Sequence, residues 1–216
     1  MSKNLHDINI TCKPLNNFRY ALPKSAATNM EDLCDLVENH TDIAIVELEY
    51  LIDEYPQAAI LYNYLAAAYR KANRHEDADA LVEQNYLLHS DYLFAQIDYG
   101  SLCLSKGFTH KVADMFTHKF DLRDLYPDRD VFHIIEVMNF YGLIGAYYAA
   151  LGEIGQAQYI HEYLHDLAPY HPIAENLKQA IQQRLKSSYK KEVSLLIFGV
   201  LTSIVVIGIS LAKLFF

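Results

Sequence analysis

The sequence predicts an all-α protein, a solenoid of helical hairpins followed by one C-terminal transmembrane helix. Three observations carry this reading. Apolar residues recur at spacings of three and four along most of the 216-residue chain, the period of amphipathic helices. Gly and Pro are few, and Pro56, Gly107, Pro127, Gly152 and Pro169 fall between the helical runs rather than inside them. The 20 positions from Val193 to Ala212, VSLLIFGVLTSIVVIGISLA, contain no charge. Strand signals are scarce.

The N-terminal stretch, residues 1–24, has neither an apolar central region nor a small-residue cleavage site, so it does not read as a secretory signal. It is expected to be a poorly ordered or capping segment. Cys12, Cys34 and Cys103 are too few and too scattered for a disulfide framework, which suits a reduced, cytosolic compartment.

A period appears within residues 25–187. Leu65-Ala66-x-x-Tyr69 recurs 34 residues later as Tyr99-Gly100-x-x-Cys103. It recurs again as Ile144-Gly145-x-x-Tyr148, after a further 34 residues and an insertion of 11. A turn residue follows each motif at the same distance (Asn73, Gly107, Gly152), and five residues on comes a small or short apolar one (Ala78, Val112, Ala157). Small residues at these places let two helices of a hairpin approach closely.

A helix–turn–helix period of this length resembles the tetratricopeptide repeat (TPR) family. The resemblance frames repeats at 59–92, 93–126 and 138–171, with 127–137 inserted and Pro169 at the repeat-closing position. An earlier unit fits 25–58 through Ala44, Leu48, Leu51 and Pro56, although Asp32 stands where a small residue is expected. His171 to Lys186 supplies the solvating cap helix that a solenoid needs. The insertion, from Tyr126-Pro127-Asp128-Arg129-Asp130 onward, reads as a helix extended by about three turns at its start. The alternative is a ledge that shapes a groove.

One motif has a catalytic look. His161-Glu162-Tyr163-Leu164-His165 matches H-E-x-x-H, with His171 where the metzincin peptidases place a third zinc ligand. Two His at i and i+4 share a helix face and can hold one Zn²⁺ while the Glu activates water. A membrane-anchored zinc peptidase is therefore the alternative function. Against it, Ala168 replaces the Gly of that pattern, no Met follows Met138, and no strands are visible upstream. The pair is read as helix packing, and no metal ligand is assigned. The chain has no Gly-rich phosphate loop and no G-x-S-x-G elbow, so neither a cofactor nor a catalytic residue is assigned. Cys103 sits at a repeat core position and reads as a small hydrophobe.

Charge is lopsided. Residues 1–183 hold 13 of the 18 Lys and Arg but 26 of the 27 Asp and Glu, about −13 net. Such an acidic body argues against a nucleic-acid partner, whose phosphates demand Lys and Arg. Residues 188–216 form a basic collar and the anchor, with the transmembrane helix at 193–212. At ~1.5 Å per residue that helix spans about 30 Å, the hydrocarbon thickness of a bilayer. Arg184, Lys186, Lys190 and Lys191 precede it and Lys213 alone follows. The positive-inside rule then puts the N-terminal domain in the cytosol, as a single-pass tail-anchored protein. The collar suits anionic membrane lipid. Gly199 and Ser203 form a small-xxx-small pair that would allow homo-association through the anchor, or would simply face lipid.

What remains is a binding surface. The resemblance implies that the first helices line a concave groove, at Ile60, Asn63, Ala67, Arg70, Lys71, Ile97, Ser101, Gly142 and Ala146. Some family members grip a peptide's terminal carboxylate with Lys, Asn and Arg spread over three repeats. Here Asn63 and Arg70 are present, but the flanking units offer Leu33, Ile97 and Ser101, so that clamp is not reproduced. A groove of small and apolar residues with basic Arg70 and Lys71 suits an apolar or amphipathic protein or peptide partner. The expected function is a tail-anchored helical-repeat adaptor that holds such a partner at the cytosolic face of a membrane.

Overall fold

The computed structural model describes residues 4–13 and 30–189. The expected transmembrane helix 193–212, with Gly199 and Ser203, and the collar from residue 190 onward lie outside the described residues. The protein is mostly helical. Helices α1 (Met30–Asn39) and α2 (Thr41–Glu54) are followed by α3 (Ala59–Lys71) and α4 (His75–Leu88), then α5 (Leu93–Ser105) and α6 (Thr109–Met115). A single turn, α7 (Leu122–Leu125), leads to α8 (Ile134–Leu151) and α9 (Ile154–Leu167). A tenth helix, α10, occupies 172–189.

Three of the helix pairs, α3–α4, α5–α6 and α8–α9, close as hairpins through left-handed backbone. Asn73 (φ 60°), Gly107 (φ 79°) and Gly152 (φ 87°) end α3, α5 and α8. Beyond each, an amide reaches back five residues. Arg74 N–H donates to Tyr69 C=O (2.8 Å), Phe108 N–H to Cys103 C=O (2.8 Å) and Glu153 N–H to Tyr148 C=O (2.9 Å). This closure satisfies carbonyls that a helix end leaves without a partner. Ala78, Val112 and Ala157, five residues on, are all fully buried.

The helices approach closely where the sequence is small. A Cβ added at Gly100 would lie 2.8 Å from Leu143 Cδ2, and one at Gly145 would lie 2.5 Å from Leu177 Cδ2. Ala66, at the corresponding place in α3, is fully buried. The core has two main parts. Leu33, Ala44, Leu48, Leu51, Leu61 and Leu65 join α1 to α4. A larger cluster gathers α5 to α10, with Phe116, Phe132, Phe140, Tyr141 and Tyr163 at its centre. Ala66, Val82 and Leu102 form a small third cluster, drawn from α3, α4 and α5.

Helix α8 is the axis of the larger part. Among the described residues it alone is long and apolar enough to cross a membrane, and 61% of that window is buried. Its apolar character is accounted for by packing against α5, α9 and α10.

Three features differ from the sequence reading. First, α6 stops at Met115 where a full second helix was expected. Thr117 (φ 49°) and His118 (φ 57°) turn the chain out, which buries Phe116 edge-on against Phe140 and Leu122 completely. Second, the insertion does not extend α8 by three turns. Residues Val131–His133 form strand β2, and α8 begins at Ile134. Third, strands are present. Asn9–Thr11 forms β1, which pairs in parallel with β2, Ile10 opposite Phe132. The N-terminal segment is thus tied to the insertion, and its Leu5 and Ile8 are buried in the larger core. The described residues of that segment cap the α8–α9 end. Asn4, His6 and Leu5 meet α9 through the Tyr159 hydroxyl and the Tyr163 ring.

Candidate functional site

The nine groove residues fall on three helices. Ile60, Asn63, Ala67, Arg70 and Lys71 lie on α3, Ile97 and Ser101 on α5, and Gly142 and Ala146 on α8. Four of them, Ile97, Ser101, Gly142 and Ala146, line one cavity of about 300 Å³ between α5, α8 and α10. Asp98, Asn139 and Ile173 complete its mouth and walls. The wall is close-packed behind Gly142, where an added Cβ would lie 2.4 Å from Ile173 Cγ2. Glycine there admits α10, and α10 supplies the far side of the cavity.

The α3 residues relate to this cavity differently. Ile60 is half-buried and Ala67 exposed, and neither lines the cavity. Lys71 turns the other way, to α1, where it pairs with Glu38 at 2.9 Å. The expected basic patch of Arg70 and Lys71 is therefore split, and only the Arg70 charge bears on the groove, through Asp98. Leu33, at the corresponding place in the first unit, is fully buried and belongs to the core.

Asn63 connects the groove to the interior. Its Nδ2 donates to Asp98 Oδ2 at 2.6 Å, and its Oδ1 accepts from Asn85 Nδ2 at 3.4 Å. Asn85, buried on α4, also donates to the Ala59 carbonyl. Its Oδ1 faces His89 Nδ1 at 2.9 Å. An amide oxygen can only accept, so His89 carries its proton on Nδ1 here. The donors run in one direction, from His89 through Asn85 and Asn63, and end on the Asp98 carboxylate. Burial pushes the Asp98 carboxyl above its ordinary value, while the Asn63 hydrogen bond and the Arg70 charge oppose the rise. Burial likewise lowers the His89 imidazole. The sequence reading missed Asp98, Asn85 and His89. Asp98 was open to detection, since it is the one charged residue in the apolar run Leu93–Ser105.

A second, larger cavity, about 580 Å³, lies under the N-terminal strand. Lys119, Arg123 and Arg129 line it, but so do Asp7, Asp124 and Asp130. Arg123 is held by Asp121 (2.6 Å) and Arg129 by Glu136 (2.6 Å). Two of its three cations, Arg123 and Arg129, are thus engaged in ion pairs that hold the loop between α6 and α8.

The H-E-x-x-H residues sit on α9. Glu162 and His165 are exposed and His161 is half-buried, with the two imidazoles 6.0 Å apart. Burial lowers the His161 pKa, and His165 and Lys178 add to the effect. The His171 Nδ1 accepts from Ile173 N–H (3.3 Å) at the start of α10. Among the described residues no three His, Cys, Asp or Glu side chains come together as a metal site. Cys103 is buried.

A scan against protein-family models and a search of curated proteins both found no match.

Proposed function

We propose that this chain is a tail-anchored adaptor of TPR type, which holds a protein or peptide partner in the groove between α5, α8 and α10 at the cytosolic face of a membrane. The observation that supports it best is the cavity itself. Ile97 and Ser101 come from one hairpin, Gly142 and Ala146 from another, and the 45-residue step between the two motifs brings them to one surface. In-phase left-handed turns at Asn73, Gly107 and Gly152 support a repeat origin for the hairpins. Three scattered cysteines, an acidic body and the uncharged run 193–212 support the compartment and the anchor.

Site-specific photo-crosslinking in intact membranes tests the reading. A benzoyl-phenylalanine at Ser101 should capture one partner reproducibly, and the same probe at exposed Gln158 on α9 should not. Equal capture from both positions would show that the partner uses another surface.

A further inference from the structure

We propose that the groove receives a lysine or arginine side chain of an otherwise apolar partner segment, with the Asp98 carboxylate as its counter-charge; this rests on the groove being the partner site. Asp98 lines the cavity beside Ile97 and Ser101. Across from it stand neutral walls, Leu143 and Ala146 on α8 and Ile173 on α10, with the amides of Asn139 and Asn176. Among the described residues no other charged one lines this cavity. Among the described residues, Asp98 accepts one hydrogen bond, from Asn63 to Oδ2. Its Oδ1 accepts none. A half-buried carboxylate with one amide donor and no ion pair is only partly compensated, because burial removes part of its hydration and the Arg70 charge acts on it only from the edge of the site. A partner ammonium or guanidinium would supply the missing donor in a low-dielectric setting, where a charge-assisted bond is strongest. The apolar walls would take the methylene stem of that side chain and its apolar neighbours.

Two further features agree with a cationic guest. The polar chain from His89 to Asn63 presents a donor to Asp98, which favours the ionised form and partly offsets the opposite effect of burial. The body as a whole is acidic, with 26 Asp and Glu against 13 Lys and Arg in residues 1–183, so it attracts basic segments. Arg70 is exposed, and its charge reaches Asp98 from the edge of the site. It acts as a resident competitor for the same carboxylate.

The test is selection of a displayed library of random dodecapeptides on the full-length protein in detergent micelles. Wild-type protein should enrich peptides with one Lys or Arg between apolar residues. Asp98→Asn should bind those peptides about tenfold more weakly, the difference between a charge-assisted and a neutral hydrogen bond. Arg70→Ala, an exposed change that does not threaten the fold, should bind them more tightly. Binding should weaken as salt rises. The inference is overturned if selected peptides lack basic residues, or if they bind Asp98→Asn and wild type equally. Ser101→Trp, which fills the cavity mouth from an exposed position, separates the two readings. Non-basic peptides that Ser101→Trp abolishes leave the groove standing and remove the role of Asp98. Failure to select any peptide sensitive to Ser101→Trp removes both.

Discussion

Asn63 shows how much a single side chain can carry beyond its place on a surface. From the sequence it is one groove residue among nine, whose truncation should cost little. In the structure it is the only described hydrogen-bond donor to the half-buried Asp98 carboxylate. Asn63→Ala should therefore destabilise by ~1–2 kcal/mol, the cost of leaving a half-buried charged group without its bond. In an Asp98→Asn background the same change should cost less than half as much, because no charge is then stranded. Equal penalties in the two backgrounds, read from denaturant melts, would mean that Asn63 acts through packing alone. The pH dependence follows from the same carboxyl. Its folded pKa lies above its unfolded one, so the ionised form is the one that folding disfavours. The cost is present at neutral pH and is relieved as pH falls through the folded value. Asp98→Asn should accordingly melt at or above wild type at pH 7, and the gap should close on acidification. Glycines offer a separate check on the backbone. Gly107 has open space around it but φ +79°, so Gly107→Ala should cost about 1 kcal/mol through strain. Gly155 has open space and lies within α9, so Gly155→Ala should stabilise by roughly 0.5–1 kcal/mol.

At the scale of elements, the helices and their turns were legible in the sequence, and the loop that interrupts them was not. The turns at Asn73, Gly107 and Gly152 were readable because left-handed backbone selects Gly and Asn. Close approaches at Gly100 and Gly145 were readable because a missing side chain is a local property. The path from Phe116 to His133 was not readable. Nothing local marks Thr117 and His118 as left-handed, and the strand Val131–His133 exists only because a segment 122 residues earlier pairs with it. The groove was half legible for the same reason. Helical period places Ile97, Ser101, Gly142 and Ala146 on one face, whereas the turn of Lys71 toward Glu38 depends on how α1 packs. Glu136 joins these elements. It accepts from His133 N–H at the start of α8 (2.9 Å) and from both terminal nitrogens of Arg129 (2.6 and 3.1 Å). Arg129 in turn lies over the Phe132 ring. Glu136→Ala would remove a helix cap and strand a guanidinium together. Since Arg129 keeps some solvent contact, the loss should be about 2 kcal/mol, below the ~3–5 of a fully buried pair. Hydrogen exchange should show the loop 119–133 opening first in this variant. Protection of that loop equal to wild type would mean that Phe132 and Leu122 hold it without the ion pair.

For the whole molecule, two stretches compete for the role of membrane span, and their surroundings separate them. Helix α8 passes a length and hydropathy test, yet Val137, Phe140, Tyr141 and Ile144 are buried against its neighbours and Glu136 is ion-paired near its start. Most of its apolar surface is already removed from water. The run 193–212 contains no charge for 20 residues and is preceded by Arg184, Lys186, Lys190 and Lys191. The proposed anchor rests on this pattern: a helix apolar on all sides and of that length would gain most by entering hydrocarbon, and by the positive-inside rule a basic flank would set its direction. Full-length protein should therefore remain with membranes after alkaline carbonate washing, and a chain ending at Ser188 should be released. The helical domain should also be open to protease added from the cytosolic side, with the run 193–212 protected. If full-length protein is extracted by carbonate, the run does not span. If instead the chain ending at Ser188 stays in the carbonate pellet, the membrane contact resides in the helical body, and the exposed apolar residues Ile43, Val46 and Tyr50 of α2 become the place to look for it.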